Sequence, residues 1–345
     1  MQQLLSEIME QPAVLRRLLQ EEYPYLCAVA DEIRRRDVRA ILIAARGSSD
    51  NAATYAKYLF GTMNRLPVML AAPSLYTLYQ RPPRLDKMLV MGISQSGASP
   101  DVVTVIEDAR RQGMLTVALT NFADSRLAQA AEHVVPLHAG EELSIAATKT
   151  YTAELMALAL LAVALLEDEA ALQHLRALPD ALDQILATSS EIARHVERYR
   201  YMEECAVIGR GYNYATAFEL ALKLKELTYV RAAPYSSADF RHGPIAVVEK
   251  GYPVLVIMPY GQAFADMMSL LQDLEHLDAE SLVISDDAQA LRWAQTPLKL
   301  PVAVEEWLSP ITTVVVGQLF TYHLALAKNL DPERPRGLRK VTETF

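Results

Sequence analysis

Hydroxyl side chains are concentrated in one short segment, Ser94-Gln95-Ser96-Gly97-Ala98-Ser99, where serines beside a glycine are suited to binding an anion. The segment directly follows the apolar run 88–93, which is typical of a buried strand, and Pro100 after it predicts a helix capped by Ser99. A strand-to-helix turn of a parallel sheet offers free backbone N–H groups and a positive helix end. We interpret the segment as a phosphate-binding loop. A serine-rich turn that only caps a helix is the alternative from this loop alone.

A second hydroxyl-lined turn, Arg46-Gly47-Ser48-Ser49, follows the buried-strand run 40–45 and precedes a predicted helix. Two turns at the carboxyl ends of strands in one sheet can converge on one ligand, so Gly47, Ser48 and Ser49 join the candidate site. Neither turn contains the Gly-Lys-Ser/Thr of a Walker loop or a Gly-x-Gly-x-x-Gly dinucleotide fingerprint. The sequence therefore predicts a phosphate site without a nucleotide-binding motif.

Composition limits the classes of protein to consider. The 345 residues are 51% hydrophobic and predict about two domains with a large core. The longest apolar stretch, 155–166, is shorter than the roughly 20 residues of a membrane span, and no signal segment is evident, so we expect a cytoplasmic protein without a membrane partner. The net charge of -9 argues against a nucleic-acid partner. Cys27 and Cys205 are far apart, and the histidines lack ligand spacing, so no metal or other cofactor is expected.

The chain contains an internal duplication at an offset of about 165 residues, which places Arg46-Gly47 opposite Arg210-Gly211. Short apolar runs separated by helical segments predict parallel sheets covered on both faces. The predicted fold class is α/β, with two tandem doubly wound, flavodoxin-like parallel-sheet halves. The predicted strands lie near 40–45, 68–71, 88–93, 115–119 and 133–137, and near 205–209, 230–233, 253–258, 281–285 and 298–302. The predicted segments are an N-terminal helical segment (1–37), a first domain (38–165), connecting helices (166–200), a second domain (201–330) and a C-terminal tail (331–345).

The second half offers acid/base groups in place of the serines. A predicted helix, 215–227, carries Glu219, Lys223 and Glu226 on one face, with apolar residues on another. A carboxylate in such a cluster is a candidate general base. The alternative is an ordinary solvated stripe with one Glu-to-Lys pair at i, i+4 spacing.

Two further candidates lie outside regular elements. His242 precedes Gly243-Pro244, a backbone that a ligand could approach, and an imidazole is suited to moving a proton on a sugar hydroxyl or ring oxygen. A structural histidine is the alternative. Lys340 lies in the tail, where a frayed terminus is the alternative. Segment 259–264, which corresponds to the serine loop in the second copy, has no serine, so we expect one phosphate site per chain.

Six motifs in order resemble the sugar isomerase (SIS) family, and more closely its glucosamine-6-phosphate deaminases and the isomerase half of its glucosamine-6-phosphate synthases. The resemblance runs from about residue 38 to the C-terminus. The motifs are Gly47-Ser48-Ser49, Ser94-Gln95-Ser96-Gly97, Ala146-Ala147-Thr148-Lys149, Glu219-x-x-x-Lys223-x-Lys225-Glu226, His242-Gly243-Pro244 and the Lys340 tail.

The resemblance implies a site for a sugar phosphate and a homodimer with the active site at the subunit interface. Glu226 would move a proton between C1 and C2, His242 would assist ring opening from the neighbouring subunit, and Lys340 would lie near C1 or C2. The implied substrate-binding residues are Gly47, Ser48, Ser49, Ser94, Gln95, Ser96, Ser99, Ile145, Glu219 and Lys223.

Two departures from the synthase pattern bear on the expected reaction. Fewer than 40 residues precede the first predicted sheet, so no glutaminase domain is expected, and Lys340 is followed directly by Val341-Thr342, one residue short of the pattern. The second departure leaves a Schiff-base role for Lys340 open. We expect conversion of glucosamine 6-phosphate and water to fructose 6-phosphate and ammonium. The alternatives are a fructosamine-6-phosphate deglycase, an ammonia-dependent aminotransferase-type isomerase and a non-catalytic sugar-phosphate sensor.

Overall fold

Ten apolar segments form the strands of two five-stranded parallel sheets within residues 2–340, the part of the chain that the computed structural model describes. The strands of the first sheet are β1 Ala40–Ala44, β2 Val68–Leu70, β3 Met88–Ile93, β4 Leu115–Thr120 and β5 His133–Pro136; those of the second are β6 Glu204–Gly209, β7 Arg231–Ser236, β8 Pro253–Ile257, β9 Glu280–Ser285 and β10 Thr296–Lys299.

Helices surround both sheets, which explains why every residue of β3, β4 and β8 is buried. The helices are α1 Gln3–Met9, α2 Gln11–Arg35, α3 Ser48–Met63, α4 Ser74–Thr77, α5 Pro100–Arg111, α6 Arg126–Ala130, α7 Lys149–Leu166, α8 Glu169–Leu186, α9 Ser189–Val196, α10 Asn213–Thr228, α11 Ser237–Arg241, α12 Phe264–His276, α13 Ala288–Trp293 and α14 Ser309–Ala327.

The described chain divides into two compact units. The serine-loop unit comprises residues 13–142, 147–176 and 339–340 and contains the first sheet. The Glu226 unit comprises residues 2–12, 143–146 and 177–338 and contains the second sheet. Each unit therefore combines one sheet with helices from more than one part of the chain.

Both sheets have the same topology. The strand order is β2-β1-β3-β4-β5 in the first sheet and β10-β9-β8-β6-β7 in the second, which is the same order read from the other edge. β6 begins 164 residues after β1, and β9 begins 165 residues after β4. These offsets confirm the duplication, and the two parallel sheets confirm the predicted α/β fold class.

Strand order also places the two hydroxyl-lined turns of the serine-loop unit side by side. The order reverses between β1 and β3, which pair in register with Ala44 opposite Gly92. In open α/β sheets, ligands bind outside the carboxyl ends of the strands at such a reversal. The turns after β1 and β3 both lie at this position.

Two strands differ from their predicted bounds by more than one residue at an end, and both contain or precede a proline. β7 extends to Ser236 although it contains Pro234, which is tolerated because β7 is an edge strand. β10 begins at Thr296 and ends at Lys299, earlier than predicted. Pro301 lacks the N–H that a longer strand would need, so the ladder ends with the bond from Leu300 N to Ser285 O.

The two most apolar helices lie in the cores of the units. By length and composition α7 could cross a membrane, and so could residues 306–327, which include α14. Their most apolar windows are 89% and 83% buried, respectively. α7 packs against α3 in the serine-loop unit, and α14 packs against α10 in the Glu226 unit. Both are therefore core helices of their units.

Candidate functional site

Two carbonyl groups of the loop 94–99 are hydrogen-bonded to other parts of the serine-loop unit. The carbonyl oxygen of Gln95 accepts hydrogen bonds from Asn121 N at 3.0 Å and Thr120 Oγ1 at 3.3 Å. The carbonyl oxygen of Gly97 accepts a bond from Leu127 N at 3.0 Å. Free carbonyl oxygens would repel an anion, but these two accept hydrogen bonds from other parts of the unit. Backbone contacts thus fix the loop in a conformation compatible with anion binding.

Gly97 is required at its position by both conformation and space. Its φ of +60° lies in the left-handed region, which side chains with a Cβ disfavour. A Cβ built on Gly97 would overlap Ser125 and lie 2.8 Å from Thr120 Oγ1. Only glycine allows the loop to approach this closely.

The serine hydroxyls of the loop are hydrogen-bonded within the loop rather than to the helix end. Ser94 Oγ lies 3.3 Å from Ser99 Oγ, and Ser96 Oγ accepts a hydrogen bond from Ala98 N at 3.3 Å. Ser99 occupies the N-cap position of α5, but its side chain makes no capping hydrogen bond. The interpretation of the loop as a simple serine cap therefore lacks the bond that it requires.

The turn after β1 is built around Gly47, which has a φ of +57° and precedes the first residue of α3, Ser48. Ser49 is buried and donates its hydroxyl proton to Glu154 Oε1 at 2.7 Å. The hydroxyl proton of Ser49 is therefore donated within the serine-loop unit. Arg46, at the start of the turn, donates from Nε to Asp101 Oδ2 at 2.6 Å.

Lys340 is anchored in the serine-loop unit rather than frayed. Its Nζ lies 2.7 Å from Glu142 Oε2, whose side chain is fully buried. Glu142 also accepts hydrogen bonds from Thr148 N at 2.9 Å, Thr150 N at 3.2 Å and Thr150 Oγ1 at 2.8 Å. One carboxylate thus connects the tail to the loop that carries the Ala146-to-Lys149 motif.

Three charged residues of α10 form a largely buried cluster in the Glu226 unit. Lys223 Nζ lies 2.6 Å from Glu226 Oε2 and 3.5 Å from Glu219 Oε1. The side chains are 2% exposed for Lys223, 0% for Glu219 and 20% for Glu226. The alternative of a solvated stripe is therefore wrong for Glu219 and Lys223. The carboxylate of Glu226 is held from the buried side and remains partly accessible.

The remaining predicted residues belong to the Glu226 unit but differ in setting. His242 follows α11 and is exposed, next to Gly243 with a φ of +142°. Ile145 is partly buried in the short segment 143–146. The structure thus groups Glu219, Lys223, Glu226, His242 and Ile145 in one unit, and the serines, Gly47, Gln95 and Lys340 in the other.

The second sheet has an equivalent junction, and it is occupied by the protein itself. Glu306 accepts hydrogen bonds from Gln262 N at 2.8 Å and Ala263 N at 3.2 Å, just before α12. A Cβ on Gly261 would lie 2.7 Å from Glu306 Oε2, so the close approach requires glycine. An internal carboxylate therefore takes the backbone donors that an anion would use.

Sequence reasoning missed Arg46, Glu142, Glu154 and Glu306. Arg46 stands directly before a motif, which was the one available signal. The three glutamates bind partners distant in the chain, and no periodicity or spacing in the sequence identifies such pairs. The fold alone brings Glu142 to Lys340, which is 198 residues away.

Comparison with known proteins identifies the family of the chain. The profile of the SIS domain matches residues 36–164 and 203–328, which together are more than half of the chain. The chain belongs to the SIS domain family. This finding confirms the resemblance inferred from the motifs, and the SIS profile matches once in each half of the duplicated fold.

Individual relatives cover the chain almost completely. A glutamine–fructose-6-phosphate aminotransferase (isomerizing) of Pyrococcus horikoshii is 34% identical over 343 residues, 98% of this chain but 57% of that protein. The chain thus spans less than three fifths of the length of that relative. A Silicibacter pomeroyi protein provisionally described as a phosphosugar isomerase is 33% identical, with a TM-score of 0.86 over 96% of this chain and 100% of that one. The C-terminal domain of a glucosamine-fructose-6-phosphate aminotransferase of Francisella tularensis is 25% identical, with a TM-score of 0.82 over 97% and 98% of the two chains.

Proposed function

We propose that the chain is an amino sugar phosphate isomerase and deaminase that converts glucosamine 6-phosphate and water to fructose 6-phosphate and ammonium. The observation that carries the proposal is the loop 94–99 at the strand reversal of a sheet in an SIS-family chain, with the carbonyls of Gln95 and Gly97 bound inward. Hydroxyls and backbone N–H groups at a helix start are suited to a phosphate group. In this proposal the loop binds the 6-phosphate, the end of the sugar that does not react.

The proposed chemistry requires one positioned base and one water. Ring opening exposes an aldehyde at C1, which acidifies the proton on C2. Glu226 removes that proton, and its return to C1 gives a C2 imine; water then hydrolyses the imine to the ketone and releases ammonia. Glu226 suits this role because Lys223 holds one carboxylate oxygen while the side chain stays 20% exposed.

Two other residues have supporting roles in the proposal. Lys340, held by Glu142, provides an ammonium group near C1 or C2, and His242 assists ring opening. Because His242 is exposed on its own unit, we propose that it acts in the site of a second copy of the chain in a homodimer. A variant lacking His242 should then regain activity when mixed with a Glu226 variant, provided that the subunits exchange.

A second candidate function has a specific observation in its favour. The identity of 34% to an aminotransferase supports the opposite direction, in which fructose 6-phosphate and ammonia give glucosamine 6-phosphate. The two functions use the same proton transfer and differ in the direction of net reaction. Measurement from both sides of the equilibrium decides between them.

The test is incubation of the purified chain with glucosamine 6-phosphate, galactosamine 6-phosphate and a fructosamine 6-phosphate, following ammonium and ketose phosphate. Fructose 6-phosphate with ammonium chloride is the reverse assay. We expect Glu226→Gln to lose at least about 100-fold in rate, in line with a general-base contribution, while Lys225→Gln on the same helix retains activity. Wild-type ammonia release by Glu226→Gln would refute the assignment of the base. Absence of product from every substrate would refute the proposal that the chain is an enzyme.

A further inference from the structure

Arg46 is a charged residue beside the loop 94–99 that lies outside the family motifs. β1 and β3 pair with Ala44 opposite Gly92, so Arg46 and Ser94, each two residues further on, leave the sheet at the same level. The Arg46 side chain reaches the start of α5, where Nε donates to Asp101 Oδ2 at 2.6 Å. The guanidinium group thus extends from the end of one strand to the helix that follows the serine loop.

The guanidinium retains donors for a ligand. Arginine has five N–H donors, and the bond to Asp101 uses the one on Nε. The Arg46 side chain is 52% exposed, whereas that of Asp101 is 2% exposed. Burial raises the pKa of Asp50, and the positive charges of Arg46 and Lys57 partly oppose that rise.

The donors of the loop itself carry no charge, since they are hydroxyls, one side-chain amide and backbone N–H groups. A phosphate monoester carries a charge of about -1.5 to -2 at neutral pH. Planar N–H pairs of arginine match phosphate oxygens in bidentate geometry, and such charge-assisted bonds are the stronger ones. A cationic group beside the loop is therefore the feature that distinguishes a dianion from a weaker anion.

We propose that Arg46 is the charge-selective residue of the phosphate site and pairs with the dianionic form of a phosphate monoester while Asp101 holds its Nε. The inference rests on the proposed phosphate-binding function of the loop 94–99 and adds a cationic contact to it. In this proposal Arg46 selects the ionisation state of the phosphate, and the serines determine the shape of the site.

The experiment is calorimetric titration of the full chain with fructose 6-phosphate at about pH 7.5 and about pH 5, on either side of the second phosphate pKa of about 6. We expect Arg46→Gln to weaken binding about 10- to 100-fold at the higher pH, the equivalent of one bond to a charged group. At the lower pH the difference from wild type should shrink. Arg46→Lys keeps the charge without the planar donor pair, so it should retain the pH dependence with reduced affinity.

Arg39→Gln is the matched control, because Arg39 directly precedes β1 in the same unit and pairs with the exposed carboxylate of Asp37 at 2.9 Å. We expect its affinity to stay within about threefold of wild type, as for a lost surface pair of up to about 1 kcal/mol. Equal losses in the Arg46→Gln and Arg39→Gln variants would overturn the role of Arg46. Binding by a folded Arg46→Gln variant within about threefold of wild type would overturn it as well. Failure of the wild-type chain to bind fructose 6-phosphate would instead overturn the phosphate site itself.

Discussion

Replacement of Lys223 by methionine is the most direct test of the buried charge cluster on α10. Lys223 supplies the cation between Glu226 Oε2 at 2.6 Å and Glu219 Oε1 at 3.5 Å. Methionine fills much of the same volume without the charge. The substitution therefore deprives the fully buried carboxylate of Glu219 of the cation on the next turn of its helix.

The expected effect is large because the cluster is enclosed. Removal of one partner of a buried ion pair costs about 3–5 kcal/mol, since the other charge remains in a poorly solvated position. For a unit of this size, each kcal/mol lowers Tm by about 2–4 °C, so we expect a decrease of about 6–20 °C. A solvated i, i+4 pair would instead contribute about 0.3–0.5 kcal/mol.

Thermal unfolding followed by circular dichroism measures this difference. Lys225→Met on the exposed side of the same helix is the control, and its effect should stay within about 0.5 kcal/mol. Adding Glu219→Gln to the Lys223→Met variant should restore part of the stability, because it removes the negative charge of the carboxylate beside the lost lysine. If the Lys223→Met variant melts within about 2 °C of wild type, the reasoning on magnitude is refuted.

Three further predictions address separate parts of the molecule. Gly97→Ala should weaken phosphate binding measured by calorimetry, because its φ of +60° costs about 1–2 kcal/mol for alanine and the new methyl overlaps Ser125; unchanged affinity would contradict this. Burial lowers the pKa of His323, so the unfolded chain binds a proton more readily and Tm should fall as the pH drops below about 6.5. His323→Gln should make Tm less dependent on pH in this range. Glu142→Gln should lower kcat by releasing Lys340 while phosphate affinity stays unchanged; a parallel loss of both would contradict a positioning role.

The sequence was sufficient for the sheets because their signals are local. β3 and β4 are uninterrupted apolar runs buried along their whole length, and such runs predict strands covered on both faces. The serine loop could also be placed, since it directly follows β3. The end of β10 was predicted less well, because its apolar run continues past the point where Pro301 stops the ladder.

The burial of the charge cluster could not be predicted from the sequence, because helical spacing gives the face of a residue but not what covers that face. α10 is buried on its charged side as well as its apolar side, and close packing against α14 depends on Gly317, where a Cβ would overlap Leu220. The position of Lys340 likewise depends on its contact with Glu142, which is 198 residues away in the chain. In both cases the decisive contact is with an element distant in the chain, and a single sequence does not show which distant elements meet.

The divergence of the two halves follows from how each satisfies the same backbone donors. Both sheets end a strand beside a helix start, where N–H groups favour an anion. In the Glu226 unit, the carboxylate of Glu306 accepts from Gln262 N and Ala263 N, and hydrogen bonds to charged groups contribute about 1.5–3 kcal/mol each. A phosphate would have to displace an acceptor that is already tethered in place, so the loss of serines in the second copy is accompanied by a filled site. In the serine-loop unit, Asp101 instead accepts a hydrogen bond from Arg46 Nε. The expectation that one copy of the duplicated fold binds phosphate and the other supports the base rests on this difference.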